Sequence, residues 1–437
     1  MFFRKGMSLP AQGTDVLSRD RHVLRTAYYP LLFIFAVAFL LRAAPNVWLE
    51  WRQPGWHAAN INEMEFYYDD VARSLIAGKG FVHSVNPRPE TSLYHFTPGT
   101  PFHFVPPLYA WWLGLVYFLF GPNVLLAKIL QCLMDAAVCL ALYKAGTCIT
   151  DRGTSLLAAF LYAVYPLAIY TSTRLYYQIP MNLSLCFLIV FLTAPVTTRN
   201  GVWTGIAMAT SALAKPVTLP FLLLLPAIRM LEGFAKKTRA RASLAWSLSF
   251  LLTATVLLAP WTIRNYLVFH TFIPVQRGAG AVLIQGSQER YIDIDVQNLR
   301  RIYGRNFGIS PDQFVETAVS NHKSHFMNAP LDYMRFLGKK FLLAWYNTEG
   351  RDKNTLTLLI QLPFLTLAFF SLVASPGFWL RGNRWYVPAL ILYISGIQIA
   401  LFPLARYTLS VMPLVMLLAA FGMQTLLGKG AAQRALP

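Results

Sequence analysis

Long apolar segments recur along the whole chain, and they restrict its fold more than any other feature. Residues 28–45, 124–149, 176–196, 243–261, 355–373 and 409–427 each form one, and a run of about 18 apolar residues can cross a bilayer as a helix. Of 437 residues, 56% are hydrophobic and 13% are charged, whereas about a quarter would be charged in a soluble protein. Soluble cores could not bury all these segments. The sequence therefore predicts an all-α polytopic membrane protein.

The positions of the basic residues predict the orientation in the membrane. Lys and Arg number 38 against 19 Asp and Glu, which gives a net charge of +19. They concentrate in short stretches beside apolar segments, above all in the N-terminal tail and at 229–241, as in loops on the cytoplasmic side. We attribute the charge to topology and predict no nucleic-acid partner. The predicted location is the bacterial inner (plasma) membrane, with both termini cytoplasmic and the active site on the outer face.

These assignments divide the chain into four regions. They are a cytoplasmic basic tail at 1–27, an N-terminal transmembrane region at 28–263 with a first outer loop at 46–105, a second outer loop at 264–354, and C-terminal transmembrane helices with a tail at 355–437. We expect about eleven transmembrane helices. Segment 202–230 contains Lys215-Pro216, so it forms one kinked helix or two short ones, because proline breaks the hydrogen-bond ladder. The four cysteines lie in apolar segments and are expected to be small buried side chains.

The first outer loop opens with an unusual concentration of acids. Glu63, Glu65, Asp69 and Asp70 lie within nine residues of a chain that has only 19 acidic residues. Apolar residues recur there at helical spacing, which predicts a short amphipathic helix on the outer surface that ends at the glycines of 78–80. We expect Asp69 and Asp70 on its solvated face. Glu63 and Glu65 either complement the helix dipole or include a general base.

Four cationic or potentially cationic side chains stand where apolar segments begin, break or end. They are His103, Lys215, Arg264 and Arg406. Each either snorkels to the interface or contributes to a sugar or phosphate pocket, since ionisable groups at membrane depth are functional candidates. No ligand spacing for a metal and no phosphate-binding glycine loop is visible, so no cofactor and no direct use of ATP are predicted, although a divalent metal is not excluded.

The order of several motifs resembles the GT-C glycosyltransferases, in particular the bacterial branch similar to protein O-mannosyltransferases and the lipid A aminoarabinose transferase. The resemblance covers nearly the whole chain. The matching pieces are Glu63-Met64-Glu65-Phe66-Tyr67-Tyr68, Gly78-Lys79-Gly80-Phe81, Pro106-Pro107-Leu108-Tyr109, Gly205 to Pro216, Pro260-Trp261-Thr262-Ile263-Arg264-Asn265-Tyr266, Pro330-Leu331-Asp332-Tyr333, and Arg406-Tyr407.

The resemblance implies an inverting enzyme that moves a hexose or pentose from a polyprenyl-phosphate carrier to an acceptor hydroxyl of a lipid, glycan or protein. It implies a first-loop acid as general base, with Glu63 as first choice and Glu65 as second. It places the donor phosphate and sugar among the residues Tyr67, Tyr68, His103, Lys215, Arg264 and Arg406. One departure is Val105, which stands where some members carry a basic residue that holds phosphate.

Two other functions remain open at this stage. A polymerase or ligase would use a diphosphate-linked glycan and would also have large outer loops. A lipid or sugar transporter would share the many helices and the intramembrane Lys215, but it would not need acids gathered in the first outer loop.

Overall fold

The computed structural model describes residues 13–84, 99–235, 240–277, 279–288, 313–348 and 351–428. The helices of the first half are α1 (Gly13–Arg52), α2 (Trp56–Ala59), α3 (Glu63–Ile76), α4 (Pro107–Phe120), α5 (Val124–Thr147), α6 (Arg152–Ala163), α7 (Pro166–Ser172), α8 (Gln178–Thr193) and α9 (Thr198–Ala214). Those of the second half are α10 (Phe221–Ala235), α11 (Ala240–Phe269), α12 (Ala279–Gly286), α13 (Phe314–Asn328), α14 (Pro330–Tyr346), α15 (Arg351–Ala374), α16 (Pro376–Trp379), α17 (Tyr386–Ile397), α18 (Ala405–Thr408) and α19 (Met412–Leu426).

The predicted all-α membrane fold is confirmed. Six described segments are long and apolar enough to cross a membrane, namely Tyr29–Arg52, Val124–Thr147, Pro216–Ala235, Ala240–Phe269, Asp352–Ala374 and Ala405–Leu426. The pair α6 and α7, bent by 54°, would make a seventh. Helices α4 and α8 are apolar but shorter, and the sequence-based count of about eleven treats such short helices as spans. In the described residues, the β structure outside helices is one antiparallel bridge between Val82 and Pro101.

Small residues allow the helices to approach closely. A Cβ atom added to Gly205 in α9 would lie 2.8 Å from the carbonyl oxygen of Phe250 in α11. A Cβ atom added to Gly422 in α19 would lie 2.3 Å from the carbonyl oxygen of Leu367 in α15. Close backbone approach at small residues is the usual way in which membrane helices associate. Helix α19 is buried along most of its length and forms the centre of the bundle.

The first outer loop contains the predicted short helix, α3. The Asn62 side chain caps it by accepting a hydrogen bond from the Glu65 amide at 2.9 Å. Beyond its end, Gly78 takes a left-handed conformation with φ of +70°, which L side chains rarely adopt. Helix α3 packs on α4, where Leu75 lies against Gly114. The acidic run is therefore fixed against a helix that the sequence places at the membrane.

The segment around Lys215 forms two helices rather than one kinked helix. Helix α9 ends at Ala214, and Lys215 is extended with φ of −157° and ψ of 121°. A 3-10 turn covers Pro216–Thr218 before α10 begins at Phe221. Because the hydrogen-bond ladder is broken here, Lys215 lies at the end of a helix and not within one.

Two expectations about exposure are wrong. Asp69 and Asp70 are only 6% and 7% exposed, because α4 and the chain after α3 cover that face of the helix. Cys148 is exposed, whereas Cys132, Cys139 and Cys186 are buried as expected. Cys148 follows the last turn of α5, where the chain leaves the bundle.

Candidate active site

A buried ion cluster surrounds Glu65. Its carboxylate is completely buried, with Oε1 at 3.2 Å from Nη1 of Arg174 and Oε2 at 3.5 Å from Nζ of Lys128. The backbone amide of Leu175 also donates to Oε2 at 3.3 Å. Two cations and an amide hold one carboxylate, so the arrangement fixes the orientation of Glu65.

His57 extends this ion cluster. Its Nδ1 lies 3.2 Å from Nζ of Lys128, and its Nε2 lies 2.9 Å from the carbonyl oxygen of Asn46. Burial, the largest effect, lowers the pKa of His57. A neutral ring is consistent with both contacts, since Nε2–H then donates to Asn46 and Nδ1 accepts from Lys128. The cluster thereby joins the end of α1, helices α2, α3 and α5, and the chain before α8.

The two aspartates of α3 make separate contacts. Asp69 accepts hydrogen bonds from Arg73 at 2.8 Å and from the Tyr117 hydroxyl at 2.5 Å. Asp70 accepts from His83 at 2.5 Å and from the Ser84 amide at 2.8 Å. Burial opposes ionisation of Asp70, but these hydrogen bonds outweigh it and the pKa of Asp70 is lowered. Both carboxylates therefore fasten the first outer loop to α4 and to the chain after α3.

A second cluster gathers two cations and several tyrosines. Nζ of Lys215 lies 4.9 Å from the ring centroid of Tyr177 and 4.8 Å from that of Tyr407. The guanidinium carbon of Arg406 lies 5.2 Å from the Tyr407 ring. Within the described ranges, no carboxylate lies at ion-pair distance from Lys215. Two neighbouring cations on one aromatic ring, at a break between helices, suit the binding of an anion.

Buried hydroxyl groups border these cations. Tyr68 is completely buried near Arg406, and in the part of the chain that the structure describes its hydroxyl has no hydrogen-bond partner. The same holds for the hydroxyl of Tyr177. Burial raises the pKa of Tyr68, so its hydroxyl keeps its proton and remains a donor at neutral pH. Unsatisfied buried donors beside cations indicate a place for a ligand with several acceptor oxygens. We call Lys215, Arg406, Tyr68, Tyr177 and Tyr407 the cation–tyrosine cluster.

The two clusters adjoin one another. Helix α3 carries Glu65 in the ion cluster and Tyr68 in the cation–tyrosine cluster, less than one helical turn apart. The short segment before α8 also contributes to both clusters, because Arg174 contacts Glu65 while Tyr177 contacts Lys215. Between them, the Tyr176 hydroxyl accepts a hydrogen bond from Asn62 at 2.8 Å. A carboxylate and a candidate anion site are thus held on the same two chain segments.

Arg264 and His103 lie in other surroundings. Arg264 donates to the carbonyl oxygens of Phe102 at 3.0 Å and Phe81 at 3.2 Å, and its guanidinium lies against the rings of Phe81, Trp261 and Phe269. His103 packs on Phe269 with ring centroids 4.3 Å apart. Burial, followed by the charges of Arg277 and Arg264, lowers the pKa of His103 to about 4, so the ring is neutral at neutral pH. These contacts hold the end of the first outer loop on α11.

The remaining predicted residues are Tyr67 and Glu63. Tyr67 is 1% exposed and packs among His83, Phe102 and Phe104 in the first outer loop. Glu63 is the first residue of α3, and its side chain lies outside the described structure.

The sequence interpretation missed Lys128, Arg174 and His57. Lys128 has a visible signal, because it is a charged residue inside the apolar segment 124–149, the same signal that identifies Lys215. Arg174 and His57 have no such signal. They belong to the ion cluster only because distant segments meet there.

Comparisons with known proteins give a family-model match for part of the chain and a similar fold for nearly all of it. Residues 104–263 match the family model described as dolichyl-phosphate-mannose-protein mannosyltransferase. Comparison with curated protein sequences gives no significant match.

Among solved structures, the archaeal oligosaccharyltransferase AglB from Archaeoglobus fulgidus, in complex with an inhibitory peptide and a dolichol-phosphate, aligns with a TM-score of 0.57 and 12% identity over 94% of this chain and 51% of its own. The apo form of the Archaeoglobus fulgidus oligosaccharyltransferase aligns with a TM-score of 0.56 and 14% identity over 93% of this chain and 51% of its own. ArnT from Cupriavidus metallidurans bound to undecaprenyl phosphate aligns with a TM-score of only 0.39 at 12% identity, over 95% of this chain and 81% of its own, and supports no argument.

This chain thus spans about half the length of the archaeal enzymes, and at these identities the likeness shows the fold alone. The predicted resemblance to GT-C glycosyltransferases is confirmed by the family model and by this fold.

Proposed function

We propose that this protein is a membrane glycosyltransferase of the GT-C type that transfers a monosaccharide from a polyprenyl-phosphate carrier to an acceptor hydroxyl, with inversion at the anomeric carbon. The family-model match and the shared fold support the reaction class. AglB, whose fold is similar, was solved in complex with an inhibitory peptide and a dolichol-phosphate. The sugar and the acceptor of this chain are left to experiment.

The observation that carries the proposal is the cation–tyrosine cluster. Lys215 sits between two aromatic rings with no described carboxylate partner, and the buried Tyr68 and Tyr177 hydroxyls have no described acceptor. A lipid phosphate would supply the missing negative charge and up to three acceptor oxygens. An ammonium group, a guanidinium group and hydroxyl donors would then stabilise the charge that grows on the leaving phosphate.

The reaction needs little covalent chemistry from the protein. The acceptor oxygen forms a bond to the anomeric carbon, and the bond from that carbon to the phosphate oxygen breaks with its electron pair. The polyprenyl phosphate leaves as an anion, and the acceptor proton passes to a carboxylate. Positioning and charge stabilisation therefore dominate.

We assign the general base to Glu63 first and to Glu65 second. Glu65 is fully buried between Lys128 and Arg174, which suits a positioning residue that holds α3 beside the phosphate site. Glu63 is the first residue of the same helix. We further propose that Arg264, His103 and Tyr67 position the first outer loop, while Lys215, Arg406 and Tyr68 bind the donor phosphate.

The test is incubation of the purified protein with a panel of polyprenyl-phosphate hexoses and pentoses and with candidate acceptors, scoring donor consumption and glycoside formation. Lys215→Met should lower turnover about 100-fold, as expected for loss of one charge-stabilising donor. Lys144→Met, at an exposed position of α5, is the matched control. Equal activity of Lys215→Met and Lys144→Met would contradict the proposal that Lys215 binds the donor phosphate.

The base is tested by Glu63→Gln and Glu65→Gln, with Glu316→Gln at an exposed position of α13 as control. Loss of transfer in a folded Glu63→Gln protein supports the first assignment. Full activity of the single variants and of the double variant would contradict the proposal of a first-loop base.

The same assay separates the rival functions. A polymerase or ligase would consume a diphosphate-linked glycan and ignore the monophosphate donors. A transporter would move a labelled lipid or sugar across proteoliposomes without forming a glycosidic bond.

A further inference from the structure

Two cavities lie one after the other along α8, α10 and the segment that starts α17. The first has a volume of about 300 Å³, and about half of its lining is polar, including Thr193, Arg229, Glu232, Ser243 and Asn383. The second is a narrower slot of about 40 Å³. Its lining is apolar and includes Leu188, Phe221, Leu225, Ile228, Trp385 and Ala389.

Three walls line both cavities, and the order of polar and apolar residues is the same on each of them. On α8, Leu188 lines the slot and Thr193 lines the polar cavity, at the helix end. On α10, Leu225 lines the slot and Glu232 lines the polar cavity. On the third wall, Ala389 lines the slot and Asn383 lines the polar cavity. We call the two cavities together the groove; it is polar at the end of the bundle and apolar toward its middle.

The groove lies at the far end of the helices from the candidate active site. Helix α8 starts one residue after Tyr177 of the cation–tyrosine cluster and reaches the polar cavity at Thr193. A helix of that length spans roughly 24 Å. Helix α9 returns from that end to Lys215. The groove cannot share a ligand headgroup with the active site.

The polar cavity is built around a buried arginine. Arg229 is 1% exposed, donates to Glu232 at 2.9 Å and to the carbonyl oxygen of Leu192, and lies over the rings of Trp246 and Tyr386. Its Nε has no described partner. A guanidinium in the wall of a polar cavity can pair with a ligand that has acceptor oxygens.

The segments that line the polar cavity are rich in basic residues. Arg381 and Arg384 flank Asn383 in sequence, and Arg241 lies two residues before Ser243, so basic side chains outnumber the single acid, Glu232, which Arg229 already pairs. The basic segments that contain these residues are the ones that the sequence assigns to the cytoplasmic face.

We propose that this groove binds a glycerophospholipid with an anionic phosphate headgroup, drawn from the membrane leaflet on the basic side of the bundle. The phosphate oxygens would lie in the polar cavity against Arg229 and Asn383, and one acyl chain would run in the slot past Ala389. Basic pockets between membrane helices on this face suit anionic lipid headgroups.

The test uses the purified full chain in phosphatidylcholine nanodiscs that contain a small share of phosphatidylglycerol with a photoreactive diazirine in its acyl chain. After irradiation, mass spectrometry maps the labelled peptides. Ala389→Phe fills the slot, and Leu392→Phe, at a 59% exposed position of the same helix, is the matched control. Asn383→Asp adds a negative charge to the polar cavity, and Asn383→Gln does not.

We expect labelling of the peptides from α8, α10 and α17 that line the slot. Ala389→Phe and Asn383→Asp should each lower it about fivefold or more, which corresponds to about 1 kcal/mol, whereas both controls keep it. Excess unlabelled phosphatidylglycerol should compete. Label spread evenly over lipid-facing helices, unchanged labelling of Ala389→Phe, or displacement of the label by inorganic phosphate alone would overturn the proposal.

Discussion

Replacing Glu65 with Gln should destabilise this protein more than most single substitutions. Glu65 and Lys128 are both completely buried, and Arg174 retains 24% exposure of its side chain. Glu65→Gln leaves Lys128 in the interior without a carboxylate, and removing one partner of a buried pair costs about 3–5 kcal/mol. Lys128→Met costs less, about 1–2 kcal/mol, because Glu65 keeps Arg174 at 3.2 Å and the Leu175 amide at 3.3 Å.

The double variant Glu65→Gln/Lys128→Met tests whether the unpaired charge of Lys128 causes the loss of stability. It removes the buried charges together, and the remaining Arg174 can reach water. We therefore expect it to be about 2 kcal/mol more stable than Glu65→Gln alone, a coupling typical of residues in contact. The free energy of unfolding is measured by SDS titration in mixed micelles, with Glu316→Gln as the exposed control. A Glu65→Gln protein as stable as the wild type, or a double variant that loses the sum of both single losses, would refute the reasoning.

The same variants separate folding from chemistry. If Glu65 only positions α3, the double variant should regain part of the transfer activity together with its stability. If Glu65 is the base, stability returns and activity does not.

Three further predictions follow from other buried charges. Burial lowers the pKa of Lys340 to about 7, whereas the pKa of a lysine in the unfolded chain is about 10.4. Between these values the unfolded state binds more protons, so the stability of the protein should rise from about pH 7 to about pH 10. The thermal unfolding temperature of Lys340→Met should depend less on pH across that range, and an equally steep dependence would contradict the assignment. Asp135→Asn leaves the buried Arg42 without its carboxylate and should cost about 3–5 kcal/mol in the same SDS titration, which a loss below about 1 kcal/mol would refute. Arg264→Lys loses the paired donors to the carbonyl oxygens of residues 81 and 102. The rate of proteolysis in the first outer loop should therefore increase. An unchanged rate would show that these two hydrogen bonds are not needed to hold the loop.

Several features of the fold could be predicted from the local sequence. The membrane spans follow from hydropathy, because a bilayer accepts only long apolar helices with internally satisfied backbones. The end of α3 follows from Gly78, and the break at Lys215 follows from Pro216. Each of these depends on neighbours in sequence, which a linear pattern contains.

Burial of charged residues was the part that sequence alone did not determine. Amphipathic spacing predicts that Asp69 and Asp70 face water, yet Tyr117 of α4 and His83 of the following chain cover them. A sequence pattern shows which residues share a helix face but not which distant segment covers that face.

The candidate site depends on the same distinction. The sequence by itself identified α3 as the acidic element and Lys215 as an intramembrane cation. Only the tertiary structure placed Glu65 between Lys128 and Arg174, which are separated from it in sequence by 63 and 109 positions. It also brought Arg406 beside Lys215. Ion pairing acts over a few ångströms in space whatever the separation in sequence, so its partners are decided by how the helices pack.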